Sequence, residues 1–315
     1  MTLRPARSLA LLLAAGLALT ACAEADEGPS PAPETDAAPS TAAEDVALPE
    51  VDGEFGDAPA FGFDDTEPPE GLQVEVLSEG DGEQVEEGAV VVAHYAGIVW
   101  GEQETFDDSY SRGEPSMFSL NSVVQGWTQG IPGHPVGSRL LLSIPNDLGY
   151  GPQGGNPNAG IGAEDTIVFV VDVVDAFGRG ATGEADAAEV TPAADLPVEI
   201  AGGLGEPASV TVPEDAAEPQ ELDSIVIAEG SGEAVATGQS VAIGYATTAW
   251  DGTAAGSSWP LEGTGGDGPY AGFVGSGSIV DALVEVPVGS RVLVLTPASE
   301  QGPAYAHVVD VLAAR

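Results

Sequence analysis

The side chains that most often carry chemistry are few in this chain, and they do not form clusters. Cys22 is the only cysteine among 315 residues, so no intramolecular disulfide is possible. The acidic residues are scattered and show no Asp-x-Asp-x-Asp-Gly spacing, which favours a solvated surface over a calcium site. His94 and His134 have no neighbouring ligand set, which favours structural or exposed roles. The sequence therefore predicts neither a metal site nor a cofactor.

The chain is strongly acidic, with 51 acidic residues against seven basic residues and a formal net charge of −44. All seven basic residues are arginine, and they are spread along the chain. Nucleic acids and anionic lipid surfaces both select clustered Lys and Arg. This composition argues against a nucleic-acid partner and against adhesion to anionic lipid.

Several of the aromatic residues fall within short motifs that follow one another over about one domain length. In chain order the motifs are His94-Tyr95-Ala96-Gly97, Thr105-Phe106-Asp107-Asp108-Ser109, Val123-Val124-Gln125-Gly126-Trp127, Pro135-Val136-Gly137-Ser138-Arg139, and Leu148-Gly149-Tyr150-Gly151 followed by Thr166-Ile167-Val168-Phe169. Taken together and in this order, they resemble the successive signatures of the FK506-binding-protein family. The resemblance covers Leu72 to Phe177.

The resemblance implies a peptidyl-prolyl cis-trans isomerase. That reaction is rotation about an Xaa-Pro amide, whose barrier of about 18–20 kcal/mol comes from the double-bond character of the C–N bond. No covalent bond breaks, so an enzyme accelerates rotation by binding the twisted amide better than the planar one. The twisted amide is less dipolar and loses less on desolvation. We therefore expect an aromatic, water-poor pocket without a nucleophile, a base or a metal.

The resemblance also implies a role for each matched residue. The catalytic residues would be Tyr95, Phe106, Asp107, Trp127 and Tyr150. The substrate-binding residues would be Arg112, Val123, Val124, Ile161 and Phe169.

Aromatic side chains would enclose the proline ring. Trp127 would form the floor, and the walls would be Tyr95, Phe106 and Phe169. The family often places an aromatic residue where Ser116 stands, so we expect one wall of the pocket to be missing.

Polar groups would hold the peptide around the twisting bond. Asp107 would act as a hydrogen-bond acceptor near the amide, supported by Arg112 and Tyr95. The Val124 backbone N–H and the Tyr150 hydroxyl would each donate to a substrate carbonyl. Ile161 would add an apolar side chain to the loop that carries Tyr150.

The elements that must position these residues are mostly strands. Alternating or β-branched apolar runs predict strands at Leu72 to Val76, Ala89 to Trp100, Leu140 to Ile144 and Thr166 to Val174. One short helix is predicted over Ser122 to Gly130, with Asn121 or Ser122 as its cap. These elements indicate an α+β fold, and the resemblance implies a twisted antiparallel sheet wrapped around the short helix.

The chain repeats itself, which predicts this fold twice in tandem. The motif Pro135 to Arg139 recurs identically as Pro287 to Arg291. Other matches in the same order are Tyr95-Ala96 with Tyr245-Ala246 and Val171-Asp172-Val173 with Val309-Asp310-Val311. A period this long predicts two complete domains and not a solenoid. The predicted boundaries are 51–178 for the isomerase domain, 179–196 for a linker and 197–315 for the second domain.

The second domain lacks the residues of the expected site. Ala255 and Gly256 align with Phe106 and Asp107, and no tryptophan lies in residues 275–283. Only Tyr245 remains of the matched set. We therefore expect a folded domain without isomerase activity.

The beginning of the chain predicts export. Arg4 and Arg7 precede an apolar run that is too short to span a membrane, so residues 1–21 are predicted to be a signal peptide. Leu19-Thr20-Ala21-Cys22 resembles a bacterial lipobox, which implies lipidation of Cys22 and anchorage to the outer face of the cell membrane. Residues 22–50, rich in Ala, Pro and acids, are expected to form a disordered tether.

These observations favour an extracytoplasmic, lipid-anchored prolyl isomerase. The expected partners are proline-containing exported polypeptides, and the resemblance implies inhibition by FK506-like macrolides. The alternative is a chaperone or other protein-binding lipoprotein without enzymatic activity. The complete set of Phe106, Asp107, Trp127 and Tyr150 favours the enzyme, because a scaffold would not require it.

Overall fold

Strands make up most of the regular structure of this protein. The computed structural model describes residues 48–262, 266–300 and 302–315, which all belong to one structural unit. The predicted signal peptide, Cys22 and nearly all of the predicted tether lie outside the described residues. In the part of the chain that is described, no helix is long and apolar enough to cross a membrane.

The strands and helices of the described residues follow in chain order. The strands up to Phe177 are β1 (Glu50–Asp52), β2 (Ala60–Gly62), β3 (Gln73–Ser78), β4 (Val90–Val99), β5 (Thr105–Asp108), β6 (Ser116–Ser119), β7 (Arg139–Ile144) and β8 (Ile167–Phe177). The α-helix is α1 (Gln125–Gly130). The later strands are β9 (Ala188–Glu189), β10 (Glu199–Ala201), β11 (Ser209–Thr211), β12 (Asp223–Glu229), β13 (Ser240–Ala249), β14 (Ala255–Ser257), β15 (Tyr270–Phe273), β16 (Arg291–Thr296) and β17 (Tyr305–Ala314). Short 3-10 helices lie at Asn146–Leu148, Gly151–Gln153, Pro157–Ala159, Ala193–Asp195 and Ile279–Leu283.

Six strands form an antiparallel sheet, the N-terminal sheet, in the order β3-β7-β8-β4-β5 with β6 also paired to β4. The β-branched and aliphatic runs of β4, β7 and β8 are almost entirely buried. Helix α1 packs on one face through Gly126, where an added Cβ would lie 2.5 Å from the Ile144 side chain. The β1–β2 hairpin covers the opposite face, where Val51 and Phe61 pack against Ile98 and Leu141.

A second antiparallel sheet, the C-terminal sheet, has the order β14-β13-β17-β16-β12-β9 with β15 also paired to β13. Apart from the added β9, the order is that of the N-terminal sheet. Strands β12, β16, β17, β13, β14 and β15 take the places of β3, β7, β8, β4, β5 and β6. The β10–β11 hairpin covers one face, where Val198 and Val210 join a core with Leu293. The 3-10 helix Ile279–Leu283 lies where α1 lies in the N-terminal sheet, and it buries Val280 and Leu283.

A buried ion pair fastens the β1–β2 hairpin to the N-terminal sheet. Arg139 on β7 and Asp172 on β8 are almost inaccessible to solvent, with Nη1 and Oδ2 2.8 Å apart. The guanidinium also donates to the backbone carbonyls of Glu54 and Asp57, at 2.7 and 3.1 Å. Asp172 accepts further hydrogen bonds from the Gly56 N–H at 2.7 Å and from the Tyr110 hydroxyl at 2.9 Å. The turn of the hairpin therefore supplies partners for both charges.

The C-terminal sheet contains the same arrangement. Arg291 on β16 pairs with Asp310 on β17, with Nε and Oδ1 2.6 Å apart. Its guanidinium donates to the carbonyls of Gly203 and Glu206, at 2.8 and 2.7 Å. Both carbonyls belong to the turn of the β10–β11 hairpin. The repeated Pro-Val-Gly-Ser-Arg motif thus ends, each time, in the arginine that fastens a hairpin.

The segment predicted as a linker, residues 179–196, is instead packed against the C-terminal sheet. The Gly183 N–H donates to Asp310 Oδ2 at 2.9 Å, and the indole N–H of the fully buried Trp259 donates to the Ala181 carbonyl at 2.7 Å. Strand β9 pairs with β12. These contacts join residues that are far apart in the sequence, so the segment that connects the two sheets is packed along its length.

The two sheets share a small apolar core. Val90 from β4 is buried together with Ala242 from β13 and Leu312 and Ala313 from β17. Met117 and Phe177 from the N-terminal sheet pack against the same cluster. We call this group the inter-sheet core. The Asn121 side-chain amide adds a polar contact by donating to the Asp267 carbonyl at 2.9 Å.

The predicted strands are confirmed as β3, β4, β7 and β8, with ends that differ by at most three residues. The predicted helix is shorter than expected. It begins at Gln125 after an extended Val124, with no side-chain cap, because the Ser122 N–H donates to the Ser119 carbonyl in a turn. Glu50, assigned to the tether by the sequence, pairs with Gly62 in the β1–β2 hairpin.

We predict that Asp172→Asn strongly destabilises the fold. The substitution leaves the buried Arg139 charge uncompensated, and breaking such a pair costs about 3–5 kcal/mol of unfolding free energy. Urea denaturation followed by circular dichroism would measure the loss. Asp175→Asn is the matched control on β8, because among the described residues the Asp175 carboxylate accepts a hydrogen bond only from the adjacent Ala176 N–H. Equal effects of the two substitutions would contradict the role of the pair.

We also predict an acid sensitivity that comes from His307 on β17. Burial lowers the pKa of His307 from 6.5 to about 4, so the unfolded chain binds this proton more readily than the folded one. The stabilisation is complete above about pH 6.5 and is lost as the pH falls to about 4, a change of about 3 kcal/mol. His307→Phe removes the group. As the pH falls from about 6.5 to about 4, the unmodified protein should therefore lose stability relative to His307→Phe. A stability difference between the two proteins that stays constant over this pH range would contradict the assignment.

Candidate active site

A cavity of about 390 Å³ opens on the face of the N-terminal sheet that carries α1. Strands β4, β5, β6 and β8, helix α1 with the residues before it, and the loop after β7 all contribute side chains. The lining residues are Tyr95, Phe106, Asp107, Phe118, Ser122, Val123, Val124, Trp127, Tyr150, Gln153 and Phe169. Eight of the ten residues predicted from the sequence are among them.

The two predicted residues outside the lining are Arg112 and Ile161. Arg112 lies behind Asp107 and contacts the cavity only through it and through Tyr95. Ile161 is buried in the core beneath the loop, and its backbone pairs with Asn156 in an isolated bridge, with N–O distances of 2.8 and 3.0 Å. Ile161 therefore holds the shape of the Tyr150 loop and does not form an apolar side of the cavity.

Trp127 forms the floor of the cavity. It projects from α1, is 3% exposed, and meets the rings of Tyr95, Phe118 and Phe169 edge to face, at centroid distances of 5.8, 5.2 and 5.3 Å. Edge-to-face contacts of this kind add about 0.5–1.5 kcal/mol each to the burial of the rings. Its indole N–H has no acceptor among the described residues, so packing alone holds the floor in place.

A close approach at Gly97 brings two wall residues together. The Phe106 and Phe169 rings meet edge to face at 5.5 Å, directly over this position on β4. A Cβ at Gly97 would lie 2.5 Å from atoms of both rings. Any larger residue would therefore separate the walls and change the shape of the cavity.

Phe118 is a wall residue that sequence analysis missed. The expected gap at Ser116 is filled two positions later on β6, where the Phe118 ring contacts Tyr95 at 5.3 Å and Trp127 at 5.2 Å. Residues i and i+2 of a strand point to the same face, so the alternation of Ser116-Met117-Phe118 was the available signal. The wall predicted to be missing is present.

A polar group of three side chains forms one rim of the cavity. The Tyr95 hydroxyl donates to Asp107 Oδ2 at 2.5 Å, and Arg112 Nη1 donates to Asp107 Oδ1 at 2.8 Å. Arg112 Nη2 also donates to the Tyr95 oxygen at 2.9 Å. The Arg112 and Asp107 side chains are 44% and 47% exposed, so their ion pair orients Asp107 more than it stabilises the fold. Burial and the bond to Asp107 raise the pKa of Tyr95 to about 12, which keeps its proton on the hydroxyl.

The two donors predicted to hold substrate carbonyls have no acceptor among the described residues, as is also true of the Trp127 indole N–H. They are the Val124 backbone N–H, at the N-cap of α1, and the Tyr150 hydroxyl. Burial raises the pKa of Tyr150, and the nearby Asp107 raises it further. Tyr150 therefore remains a neutral donor. Both groups can receive a carbonyl oxygen from a bound molecule.

The side chains of the site are suited to binding a molecule and not to forming a covalent bond with it. Aromatic rings form its floor and walls, and one carboxylate and two donors lie around its rim. Among the described residues, no three His, Cys, Asp or Glu side chains come close enough together to hold a metal ion.

The same position in the C-terminal sheet differs in the way the alignment predicts. Gly256 lies opposite Thr247, as Asp107 lies opposite Gly97. The 3-10 helix Ile279–Leu283 carries no tryptophan.

Comparison with known proteins identifies relatives of the N-terminal sheet. Residues 81–174 match the family model of the FKBP-type peptidyl-prolyl cis-trans isomerases. The probable FK506-binding protein of Corynebacterium glutamicum is 40% identical over 109 residues, which cover 34% of this chain and 89% of that protein. The FK506-binding protein of Streptomyces anulatus is 39% identical over 118 residues, 37% of this chain and 94% of that protein.

Longer relatives match only over part of their length. FkpA of Escherichia coli K12, an FKBP-type peptidyl-prolyl cis-trans isomerase, is 40% identical over 105 residues, which cover 33% of this chain and 37% of FkpA. Its crystal structure aligns with a TM-score of 0.31 at 38% identity, over 34% of this chain and 48% of that one. Two relatives matched over almost their whole length are sufficient to assign the family. The chain belongs to the FKBP-type peptidyl-prolyl cis-trans isomerases, enzymes that interconvert the cis and trans forms of Xaa-Pro peptide bonds.

Proposed function

We propose that isomerisation takes place in the aromatic cavity of the N-terminal sheet, within a domain bounded by residues 51 and 178. The observation that carries this proposal is the convergence of Tyr95, Asp107 and Trp127 on one cavity. The proline ring would lie on Trp127, between the Tyr95, Phe106, Phe118 and Phe169 side chains. Such a floor excludes water without offering polar partners to the ring.

The physical basis of catalysis is differential binding of the twisted amide. Rotation about the C–N bond removes its double-bond character and reduces its dipole, so the twisted form loses less when it leaves water. An aromatic cavity therefore destabilises the planar substrate relative to the transition state. The Val124 N–H and the Tyr150 hydroxyl would fix the flanking carbonyls, so that the rest of the peptide stays in place while the amide turns.

Asp107 would act as a fixed acceptor beside the rotating bond. Tyr95 and Arg112 hold both carboxylate oxygens, at 2.5 and 2.8 Å, so the group is already oriented before a peptide binds. A preorganised partner of this kind costs no reorganisation at the moment of reaction. Because no proton is transferred, Asp107 would act through its charge and position alone.

We predict that Asp107→Asn lowers kcat/KM for an Xaa-Pro peptide by about tenfold, or about 1.4 kcal/mol of transition-state stabilisation. The substitution keeps the shape but removes the charge that Arg112 orients. A protease-coupled isomerisation assay on the full-length chain would measure the change. Glu104→Gln is the matched control, because Glu104 is exposed just before β5 and lies outside the cavity lining.

Two results would contradict this site. One is full activity of Asp107→Asn in a protein whose circular dichroism shows that it is folded. The other is the absence of inhibition by FK506, since we propose that FK506-like macrolides occupy the same cavity. Both results together would move the reaction away from this cavity.

We also propose that the C-terminal sheet is a second, degenerate copy of the isomerase domain, within residues 197–315. The supporting observations are the recurring Pro-Val-Gly-Ser-Arg motif, the common strand order and the second arginine–aspartate pair. The changes at Gly256 and in the 3-10 helix remove the acceptor and the floor. This copy would therefore be folded without isomerising Xaa-Pro bonds.

We further propose that the enzyme acts on proline-containing exported polypeptides, outside the cytoplasm and anchored to the bacterial membrane by lipid on Cys22. Support comes from Arg4 and Arg7, the apolar run and the Leu19-Thr20-Ala21-Cys22 pattern. Slow isomerisation of Xaa-Pro bonds limits the folding of many proteins, so such an enzyme would accelerate folding after export. Two acyl chains would hold the protein stably, whereas one would not.

We predict that the protein partitions into the detergent phase of a Triton X-114 extraction and that Cys22→Ser moves it to the aqueous phase. The variant lacks the thiol to which the lipid would be attached. Ser40→Ala, within the predicted tether, is the control and should behave like the unmodified chain. Aqueous partitioning of the unmodified chain would contradict lipid anchorage and leave the isomerase assignment unaffected.

A further inference from the structure

The C-terminal sheet carries a cavity larger than the aromatic one, of about 570 Å³. We call it the second cleft. It occupies the equivalent position, because Tyr245 pairs with Val309 as Tyr95 pairs with Val171. Its volume lies within the range of about 300–1,000 Å³ that ligand sites usually have.

The walls of the second cleft are built from different residues than those of the aromatic cavity. Strand register places Gly272 where Phe118 lies and His307 where Phe169 lies. At Gly272 the Tyr270 ring and the Val280 side chain take up part of this space, because they lie 2.7 and 3.1 Å from where a Cβ would be. Ile279 from the 3-10 helix lines the second cleft, where Trp127 forms the floor of the aromatic cavity.

The lining of the second cleft is mainly apolar and partly exposed. Leu222, Ile279 and Pro297 line it together with the Tyr245 and Tyr270 rings. Leu222 and Tyr270 are 46% and 40% exposed, and exposed apolar groups that line a concavity are typical of interaction sites. The aromatic residue absent at Ser116 in the N-terminal sheet is present here, since Tyr270 has the same register on β15.

Polar groups in the wall suit a peptide backbone. Thr247 lines the cleft, and its hydroxyl is buried without a hydrogen-bond partner among the described residues. Buried polar groups are normally paired, so this hydroxyl indicates an incomplete site. Thr296 and His307 also line the cleft, with Oγ1 and Nε2 3.2 Å apart.

The charges around the second cleft are negative. Asp281 lines it, Glu221 and Asp223 flank Leu222 in the sequence, and Asp267 is near enough to Tyr245 to contribute to the raised pKa of that hydroxyl. The two arginines beyond residue 180 do not balance this charge. Arg291 is buried in its ion pair, and Arg315 follows β17, outside the cleft lining.

We propose that the second cleft binds an apolar or aromatic side chain of an extended polypeptide in which lysine or arginine flanks that side chain, and that it needs no proline. The apolar lining selects the side chain, and the surrounding carboxylates select its basic neighbours. The acidic N-terminal segment of this chain, which includes Glu24, Asp26 and Glu27, is disfavoured as an occupant by its charge. This binding activity does not depend on the isomerase site.

The test uses fluorescence anisotropy with a short labelled peptide that alternates Lys with Leu and Phe and contains no proline. The full-length chain should bind this peptide at least about tenfold more tightly than a version with Glu in place of Lys or with Ser in place of Leu and Phe. Ser278→Trp should weaken binding about tenfold, because Ser278 lines the cleft from a half-buried, extended position before the 3-10 helix. Thr211→Trp is the matched control, since it adds the same ring at an exposed position on β11.

Several outcomes would overturn the proposal. They are equal binding of the Glu-containing peptide, unchanged binding by Ser278→Trp, and displacement of the peptide by FK506, which would place it in the aromatic cavity. Binding that appears only after removal of residues 23–47 would make that segment the occupant, and a Ser278→Trp-sensitive dimer in sedimentation would make it a second copy. If Ser278→Trp fails to fold, Tyr270→Ser provides the second variant, with the same expected loss.

Discussion

The fold depends on two charges that are removed from water in the middle of each sheet. A buried arginine and a buried aspartate each lose several kcal/mol of hydration, so the sheet must supply hydrogen-bond partners in place of water. In the N-terminal sheet the Tyr110 hydroxyl and the turn of the β1–β2 hairpin supply them, and Arg139 Nε is left without a partner among the described residues. The hairpin therefore covers the sheet and also supplies hydrogen bonds that replace water around the ion pair. The C-terminal sheet repeats the solution with Arg291 and the turn of the β10–β11 hairpin.

Much of the candidate site could be predicted because its residues belong to short, contiguous motifs. Tyr95, Phe106, Asp107 and Trp127 each lie within a few residues of a distinctive neighbour. Tyr95 lies on β4, whose buried apolar run identifies the strand, and β4 pairs with β5, which carries Phe106 and Asp107. Phe118 was not predicted, because its place in the cavity follows from the pairing of β6 with β4 and not from its immediate neighbours. The free Val124 N–H depends on where the helix begins, which the sequence indicated only to within a few residues.

The remaining differences come from contacts between distant parts of the chain. Residues 179–196 have the composition of a linker, yet Ala181 and Gly183 are held by Trp259 and Asp310 through backbone atoms that any residue could supply. Composition carries no signal for such bonds. The second cleft could not be predicted from the sequence for a related reason. The sequence shows which residues of the aromatic cavity have no counterpart in the second sheet, whereas the second cleft and the position of Tyr270 in its lining require the strand register.

The inter-sheet core has a consequence for how proteins of this kind diverge. Met117 packs against the C-terminal sheet, while its neighbour Phe118 forms a wall of the aromatic cavity. The relatives from Corynebacterium glutamicum and Streptomyces anulatus are matched over 89% and 94% of their length by 34% and 37% of this chain. Without the second sheet, Val90, Met117 and Phe177 would be exposed to water. Because Met117 is adjacent to Phe118 on β6, a substitution that adapts this surface to water also bears on a wall of the aromatic cavity.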